Sequence, residues 1–309
     1  MTTEFGHEFV DANGLRFHVA TCGEGEKLAL CLHGFPESWY SWRYQLPHLA
    51  RLGYRVWAPD LRGYGETAGP PRSRDYAIEI LLADVGALID AARARTVLLL
   101  GHDWGGIIAW YFAMRRVRPL ERLVIMNLPH PGAAAGAIGP WEMLRRFWYA
   151  LFFQIPWLPE KLLGARECRA IGEMFRRSCA NPNVFPEDVL SIYRRAAARP
   201  GNLKAMLDYY RALIRGGGLK RQRALGYPAI ETPTLLVWGE DDIALPKAST
   251  TRTGEFVRDL TLRYLPGVSH WVQQDAPELV NAMLEAWLQD RPVPEAPLSE
   301  RQPSPPRPS

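Results

Sequence analysis

The sequence predicts an α/β fold: a mostly parallel central sheet with helices on both faces and a helical cap (lid) domain inserted after the sixth strand. Short runs of branched apolar residues alternate with longer helical patterns over residues 7–126, and strand patterns return over residues 234–265. Between these halves, residues 141–223 are helical in pattern throughout. A helical block between two halves of one sheet is typical of a cap over the strand ends, where open α/β sheets bind ligands.

The order of the predicted elements favours parallel pairing. Strands at 7–10 and 15–19 flank Asn13-Gly14, a typical hairpin turn sequence. The later strands and helices alternate as in βαβ units, whose strands pair in parallel. In chain order, we expect a strand at 27–32, a helix at 39–52, a strand at 54–58, a helix at 76–94, a strand at 96–100, a helix at 107–115, strands at 120–126, 234–238 and 260–265, and a helix at 277–288.

Composition divides the chain into four expected parts. Residues 1–131 form the first part of the core, residues 132–226 the cap, and residues 227–291 the second part of the core. Residues 132–139 are almost all alanine and glycine, which predicts a flexible connection into the cap. Residues 292–309 contain seven prolines and few apolar residues, which predicts a disordered tail.

The overall composition excludes several function classes. With 309 residues, of which 47% are hydrophobic and 23% are charged, the chain can bury a large core. The net charge of +4 is small and the arginines are scattered, so no nucleic-acid surface is expected. The four cysteines have neither zinc-site nor C-x-x-C spacing, and the first residues lack a signal-peptide pattern. We therefore expect a cytoplasmic protein.

One segment, at 147–158, is apolar and aromatic enough to be compared with a membrane helix. It is only twelve residues long and contains Gln154 and Pro156, whereas a membrane-spanning helix needs about 20 apolar residues. We therefore expect no stable membrane insertion and predict a lid helix that faces an apolar pocket.

The most informative motif is GHDWGG at residues 101–106, which directly follows a predicted buried strand. Because a helix is predicted directly after it, its glycines lie on a tight strand-to-helix turn. The pattern is that of the nucleophile elbow of α/β-hydrolases, with Asp103 where an esterase has serine. A carboxylate is suited to displacement at a saturated carbon, which leaves an ester on the enzyme.

Two later segments complete a candidate catalytic set. Glu240, Asp241 and Asp242 follow the predicted strand at 234–238, and His270 follows the next strand. Nucleophile, acid and histidine thus occur in the chain order of the α/β-hydrolase triad. The order alone leaves all three acids as candidates.

Four motifs and two cap stretches together resemble one family. The motifs are HGFPESW at 33–39, DLRGYG at 60–65, GHDWGG at 101–106 and SHW at 269–271, and the cap stretches are WYALFFQIP at 148–156 and DYYR at 208–211. In this order and spacing they resemble the soluble epoxide hydrolases of the α/β-hydrolase superfamily. Each motif alone is typical only of the superfamily, whereas the tyrosine-containing cap stretches together with HGFP make the set specific.

The resemblance implies an epoxide hydrolase that forms vicinal diols and needs no metal, nucleotide or redox cofactor. Asp103 would be the nucleophile and would carry a covalent alkyl ester. His270, oriented by Asp242, would activate the water that hydrolyses this ester. Asp242 is preferred because it lies three residues after Gly239, as in the family pattern, and Asp241 is the alternative.

The resemblance also implies which groups stabilise the charges that develop during the reaction. Tyr149 and Tyr210, in the cap, would donate protons to the epoxide oxygen, with Tyr209 as an alternative to Tyr210. A phenol with a pKa of about 10 stays protonated at neutral pH. The backbone N–H groups of Phe35 and Trp104 would form the oxyanion hole.

Aromatic side chains are expected to line the substrate pocket. Phe35, Trp104, Phe152 and Trp271 are the expected substrate-binding residues, and the Phe35-Pro36 peptide bond is expected to be cis, as in the family. The expected partners are a small apolar epoxide and water, and the chain is expected to be a monomer or a homodimer. Further aromatic residues of the cap predict a roomy apolar pocket: Trp141, Phe147, Trp148, Phe153 and Trp157.

Two other functions remain as alternatives. A haloalkane dehalogenase also has an elbow aspartate, but it commonly has asparagine after His-Gly, where this chain has Phe35. A non-catalytic ligand-binding protein with this fold would not need the aspartate, acid and histidine together. Release of a diol, of a halide or of neither from matched substrates would distinguish the three.

Overall fold

Eight strands form one sheet in the computed structural model, which describes residues 5–137 and 139–296. The strands are β1 (Gly6–Ala12), β2 (Leu15–Cys22), β3 (Lys27–Leu32), β4 (Arg55–Pro59), β5 (Thr96–His102), β6 (Arg122–Met126), β7 (Thr234–Gly239) and β8 (Leu260–Leu265). Their order across the sheet is β1-β2-β4-β3-β5-β6-β7-β8. β2 pairs antiparallel with β1 and β4, and the other neighbours pair in parallel.

Helices flank the sheet and form the block inserted between β6 and β7. In the described part of the chain they are α1 (Gln45–Arg51), α2 (Ile78–Ala92), α3 (Trp104–Met114), α4 (Pro131–Ala134), α5 (Pro140–Phe152), α6 (Leu158–Ser178, interrupted at 165–168), α7 (Glu187–Ala198), α8 (Asn202–Ile214), α9 (Gly218–Ala224), α10 (Val272–Asp275) and α11 (Pro277–Leu288). The predicted fold class is therefore confirmed.

Alternate residues of the central strands face two separate apolar layers. In β3, Leu28, Leu30 and Leu32 belong to the layer that includes α2 and α3, whereas Ala29 and Cys31 belong to the layer that includes α1 and α11. All five side chains are fully buried. Both faces of β3 are covered, which explains why nearly every residue of this strand is apolar.

The eight predicted strands are all present, with ends that differ by a few residues. The predicted helix at 39–52 is instead a 3-10 helix at Trp39–Trp42 followed by α1. The Arg43 N–H donates to the carbonyl of Tyr40, three residues back, so this first turn is tighter than an α-helix.

The connection into the cap is more regular than its alanine and glycine content predicts. α4 forms within it, because the His130 side chain accepts a hydrogen bond from the Gly132 N–H and Pro131 occupies the first turn. Gly132 packs so closely on the Phe256 ring that a Cβ atom there would overlap it. The first turn of the segment predicted to be flexible, 132–139, is therefore helical.

The cap is fastened to the core through α8. The Tyr209 hydroxyl donates to the carbonyl of Arg62 at 2.9 Å, and the Asn202 amide donates to the carbonyl of Gly65 at 2.8 Å. Both acceptors lie in the loop after β4. This anchoring fixes α8 above the carboxyl ends of the parallel strands.

The predicted proline-rich tail is described only over residues 292–296. Val293 is buried, and its carbonyl accepts hydrogen bonds from the Arg263 guanidinium. The rest of that prediction, residues 297–309, lies outside the described residues.

Candidate active site

Asp103 lies on the turn between β5 and α3, with φ of 49° and ψ of −117°. Such a positive φ is uncommon for a residue with a side chain and marks a strained turn. A Cβ atom at Gly101 or Gly105 would collide with neighbouring backbone, so glycine is required on both sides of Asp103. The turn holds the carboxyl group at the carboxyl end of the sheet.

The two oxygens of the Asp103 carboxylate have different neighbours. The Phe35 N–H donates to Oδ1 at 2.7 Å, and Nε2 of His270 lies 3.6 Å from Oδ2. Burial opposes ionisation of this carboxyl group, but the His270 imidazole and the Phe35 hydrogen bond lower its pKa. Asp103 is therefore held as an anion, the form that a nucleophile requires.

Asp242 is held as the partner of His270 by a set of hydrogen bonds. Nδ1 of His270 lies 2.6 Å from Asp242 Oδ2. The N–H groups of Ala244 and Leu245 each donate to Oδ1 at 2.8 Å, and the Asn127 amide donates to Oδ2 at 2.9 Å. A carboxylate that accepts this many hydrogen bonds is ionised and fixed in direction.

These contacts distinguish the candidate acids that the sequence left open. Asp242 is buried against His270, whereas Asp241 is exposed. Asn127 was missed by the sequence analysis, although it directly follows β6, where functional residues of a parallel sheet gather. Its carbonyl oxygen also accepts a hydrogen bond from the Gly239 N–H, so it ties the β7 end to the site.

Two carboxylates determine the charge of His270. Burial by itself would lower the pKa of this imidazole, but Asp242 and Asp103 raise it well above the ordinary 6.5. His270 is therefore an imidazolium in the resting site, placed between two anions. Loss of the charge on Asp103 would remove one of the two groups that keep it protonated.

A second buried acid–histidine pair supports the backbone of this triad. His102 Nδ1 lies 2.8 Å from Glu37 Oε2, and His102 Nε2 lies 2.8 Å from the carbonyl of His270. The other Glu37 oxygen accepts hydrogen bonds from the side-chain amides of Gln273 and Gln274. Glu37 and His102 occur inside the HGFPESW and GHDWGG motifs, but no sequence pattern indicates that their side chains meet.

Tyr149 on α5 and Tyr210 on α8 approach one another above this site. Their ring centroids are 6.0 Å apart, and the Tyr210 ring meets the rings of Phe35 and Trp104 edge-on at 5.5 and 5.0 Å. Burial raises the pKa of both hydroxyl groups, and the Asp103 charge raises both further. Both phenols therefore stay protonated at neutral pH.

Tyr209, the alternative to Tyr210, also meets the Trp104 ring edge-on, at 5.2 Å, but its hydroxyl is engaged elsewhere. Its hydroxyl donates to the Arg62 carbonyl, and its ring packs on Tyr64 and Tyr76. A hydroxyl engaged in that contact serves to anchor α8 to the core. The contact favours Tyr210 over Tyr209 as the group that faces Asp103.

Comparison with known proteins gives the family. Residues 29–277 match the alpha/beta hydrolase fold family. Human epoxide hydrolase 4 is 37% identical over 290 residues, an alignment that covers 90% of this chain and 77% of the relative. The chain belongs to the epoxide hydrolase family. Epoxide hydrolase 2 of Caenorhabditis elegans is 33% identical over 291 residues, with 93% and 81% covered.

Solved structures agree with this epoxide hydrolase fold. Epoxide hydrolase A from Mycobacterium thermoresistibile superimposes with a TM-score of 0.80 at 29% identity, covering 94% of this chain and 100% of the other. The epoxide hydrolase VrEH1 from Vigna radiata has a TM-score of 0.79 at 29% identity, with 94% and 99% covered. The predicted family, with its α/β-hydrolase fold, is confirmed.

Only some of the expected aromatic residues of this epoxide hydrolase face inward. Phe153 packs edge-on against Phe35 and Tyr210, and Phe152 lies partly buried beside it. Trp271 is buried against Phe175 of α6, at 4.4 Å between ring centroids.

Three other aromatic residues of the cap are largely exposed. The exposed fractions are 78% for Trp141, 59% for Trp148 and 68% for Trp157. Trp148 is the immediate neighbour of Tyr149 on α5 and faces outward. These three tryptophans therefore lie mainly at the surface of the cap, unlike Phe153, which packs against Phe35 and Tyr210.

The Phe35-Pro36 peptide bond is cis, as expected. Among the described residues, no group of three or more histidine, cysteine, aspartate or glutamate side chains is arranged to hold a metal ion. Within the same residues, no helix has both the length and the apolar composition needed to cross a bilayer.

Proposed function

We propose that this epoxide hydrolase converts epoxides to vicinal diols through a covalent alkyl ester on Asp103, which water activated by His270 and Asp242 then hydrolyses. One observation carries the proposal: the ionised carboxylate of Asp103 lies close to two protonated phenols, those of Tyr149 and Tyr210. A nucleophile on one side and proton donors on the other are what ring opening of an epoxide requires.

In the first half-reaction, Oδ2 of Asp103 attacks an epoxide carbon and the carbon–oxygen bond of the ring breaks. Oδ1 is the oxygen already bound by the Phe35 N–H, so Oδ2 is the oxygen available for attack. The departing oxygen takes a proton from Tyr149 or Tyr210, and the phenolate regains a proton from solvent. General acid assistance of this kind is typically worth about 10²–10⁴-fold in rate.

In the second half-reaction, water attacks the ester carbonyl carbon and its proton passes to His270. The oxyanion develops on Oδ1, which already accepts a hydrogen bond from the Phe35 N–H. We infer that the Trp104 N–H is the second donor of this oxyanion hole. The bond between the carbonyl carbon and Oδ2 then breaks, the diol leaves with Oδ2 and takes the proton from His270, and the Asp103 carboxylate is restored with one oxygen from water. Formation of the ester removes the charge of Asp103, which lowers the pKa of His270 and allows it to lose its proton. The histidine thus becomes a base after the ester has formed, when a base is needed.

The apolar groups around the nucleophile support the proposed substrate class. Phe35 and Phe153 pack around Tyr210, and we infer that Phe35, Trp104, Phe152 and Trp271 contribute to the pocket for a small apolar epoxide. Phe35 has no side-chain hydrogen-bond donor for a halide, which disfavours the haloalkane dehalogenase.

The test is a panel of terminal, styrene-type and fatty-acid epoxides, assayed for diol by chromatography, with matched chloroalkanes assayed for halide. Diol from at least one epoxide, absent in Asp103→Asn, is the expected result. Halide release without diol would refute the proposal and indicate a haloalkane dehalogenase. Binding without either product would indicate a ligand-binding protein.

We also infer the division into a core at 1–131 and 227–291, a cap at 132–226 and a tail at 292–309. A cytoplasmic location is proposed because none of the four cysteines, all in the described residues, is paired. A monomer or homodimer is proposed as the oligomeric state. Cell fractionation tests the location, and light scattering on the purified protein measures the oligomeric state.

A further inference from the structure

A guanidinium group links the two helices that carry the tyrosines. Arg211 directly follows Tyr210 on α8, and its side chain reaches the end of α5, the helix of Tyr149. Nε donates to the carbonyl of Phe153 and Nη2 donates to the carbonyl of Ile155, each at 2.9 Å. These carbonyls lie just past the last residue of α5, where backbone acceptors lack partners within the helix and a cation is favoured by the helix dipole.

The third nitrogen of Arg211 is held by acids. Nη1 donates to Glu160 at 2.7 Å and to Asp208 at 3.2 Å. Asp208 is fully buried and also accepts a hydrogen bond from the Ser73 hydroxyl at 2.7 Å, which ties it to the core. Burial opposes the charge of Arg211, but Glu160 and Asp208 raise its pKa, so the guanidinium stays charged.

This arrangement leaves the guanidinium little freedom, since all three of its nitrogens are bonded and the side chain is buried. It joins three parts of the molecule: the end of α5, the start of α6 through Glu160, and α8 itself. A lysine in its place could keep a charge beside the acids but could not donate along the two carbonyl directions at once.

We propose that Arg211 is a positioning residue for ring opening, because it fixes the Tyr149 helix relative to the Tyr210 helix. The inference rests on the proposed function, in which both hydroxyl groups meet one epoxide oxygen. A displacement of α5 by a fraction of an ångström would spoil that meeting while leaving Asp103, His270 and Asp242 in place, because the triad is held by core contacts. Arg211 itself does not touch the reacting atoms.

The test separates the two half-reactions in single-turnover experiments on the full chain, with the best diol-forming epoxide of the panel. In Arg211→Lys, alkylation of Asp103 is expected to slow by about 10- to 100-fold, the size of effect that a small misplacement produces. Hydrolysis of the ester is expected to change by less than about threefold, because the core performs it. Equal slowing of both steps would indicate a general loss of structure and overturn the proposal.

Arg211→Met removes the charge as well, so Glu160 loses its cationic partner and Asp208 keeps Lys204 as its partner, and the variant is expected to lower stability. Arg211→Lys is therefore the decisive variant, and its fold is checked by circular dichroism.

Arg115 provides a matched control. It also joins cap to core through backbone carbonyls, those of Gln222 and Gly226, but it contacts neither α5 nor α8. Arg115→Lys is expected to leave alkylation within about twofold of the wild-type rate.

A mutant cycle distinguishes failure of this inference from failure of the proposed function. When Tyr149→Phe and Tyr210→Phe are already present, Arg211→Lys should slow alkylation no further, since there are no hydroxyl groups left to align. Independent, multiplicative slowing would overturn the positioning role. Normal alkylation in the double tyrosine variant would instead refute the proposed proton donors. Normal alkylation in Arg211→Lys alone would refute only the inference about Arg211.

Discussion

The core and the cap hold their reactive groups in different ways. In the core, Asp242 accepts two backbone N–H groups and the Asn127 amide, and Asp103 accepts the Phe35 N–H. In the cap, Tyr149 and Tyr210 are surrounded by aromatic rings, and Tyr149 is only partly buried. Directional hydrogen bonds hold the core groups themselves, whereas aromatic packing surrounds the cap phenols, whose two helices are joined by the hydrogen bonds of Arg211.

This difference suggests that the two half-reactions depend on different regions. In the proposed mechanism, the core contains everything that ester hydrolysis needs: a base, an acid that orients it and an oxyanion hole. In the same mechanism, ring opening needs the cap as well, because the proposed proton donors, Tyr149 and Tyr210, lie in the cap. Variants of each region should therefore separate the two steps.

The largest effect is expected from Asp103→Asn, because a neutral amide is a poor nucleophile at carbon. Turnover should fall by about 10⁴- to 10⁶-fold, the range over which loss of one member of a catalytic triad lowers kcat. As a control, a single turnover of the wild type in heavy-oxygen water should put the label into Asp103 first and into diol only later, as mass spectrometry would reveal. Label that reaches the diol in the first turnover would demonstrate direct attack by water.

His270→Gln should stop hydrolysis while permitting ring opening. Alkylation needs no general base, so the variant mixed with substrate should accumulate as protein plus one epoxide mass. Intact-protein mass spectrometry measures this, and denaturation before hydrolysis preserves the ester. A folded variant that binds substrate but stays unmodified would show that His270 serves ring opening too, and the two regions would not be separable.

Tyr149→Phe and Tyr210→Phe should each slow alkylation, with a combined loss of about 10²–10⁴-fold in the double variant. The hydroxyls stabilise charge that appears only in the transition state, so the loss should fall on the alkylation rate. Ester hydrolysis should change little, since the former epoxide oxygen is protonated by then. A double variant that opens epoxides normally and releases halide from a chloroalkane would favour the dehalogenase.

The sequence predicted the core groups of the site better than the cap groups. Asp103, Asp242 and His270 all follow strands of a parallel sheet, so strand periodicity alone brings them to one edge. Asn127 follows such a strand too, and its role became visible only when its amide was found beside Asp242. The hydrogen bond between His102 and Glu37 joins residues 65 positions apart, a pairing that no local pattern encodes.

The cap was harder to predict because helical periodicity does not define its inner face. Tyr209 and Tyr210 are adjacent on α8 and differ by about 100° in direction, so packing decides which one faces the nucleophile. Helix α5 is apolar on two sides, and its sequence could not show that Trp141 and Trp148 face outward. Only the tertiary contacts supply that information.

A smaller effect is expected on the titration of His270. In Asp103→Asn the charge that helps to hold the imidazole protonated is gone, so the pKa of His270 should be lower than in the wild type. The resting wild type keeps this imidazolium as pH rises past 6.5 and loses it only at the higher pKa. NMR titration of histidine-labelled protein measures the difference, with His270→Gln to assign the signal. An unchanged pKa would mean that ester formation does not release the base.

The smallest catalytic effect is expected from Tyr209→Phe, which tests whether the neighbour of Tyr210 belongs to the fold alone. The variant leaves the buried Arg62 carbonyl without the Tyr209 hydroxyl, so the free energy of unfolding should fall by about 1–3 kcal/mol. The alkylation rate should stay within about twofold of the wild type, because that hydroxyl donates to the Arg62 carbonyl in the loop after β4. Urea denaturation and single-turnover kinetics measure the two quantities on the same preparation. A loss of alkylation with unchanged stability would show that Tyr209, and not Tyr210, is the second proton donor. That donor would then lie on the other face of α8.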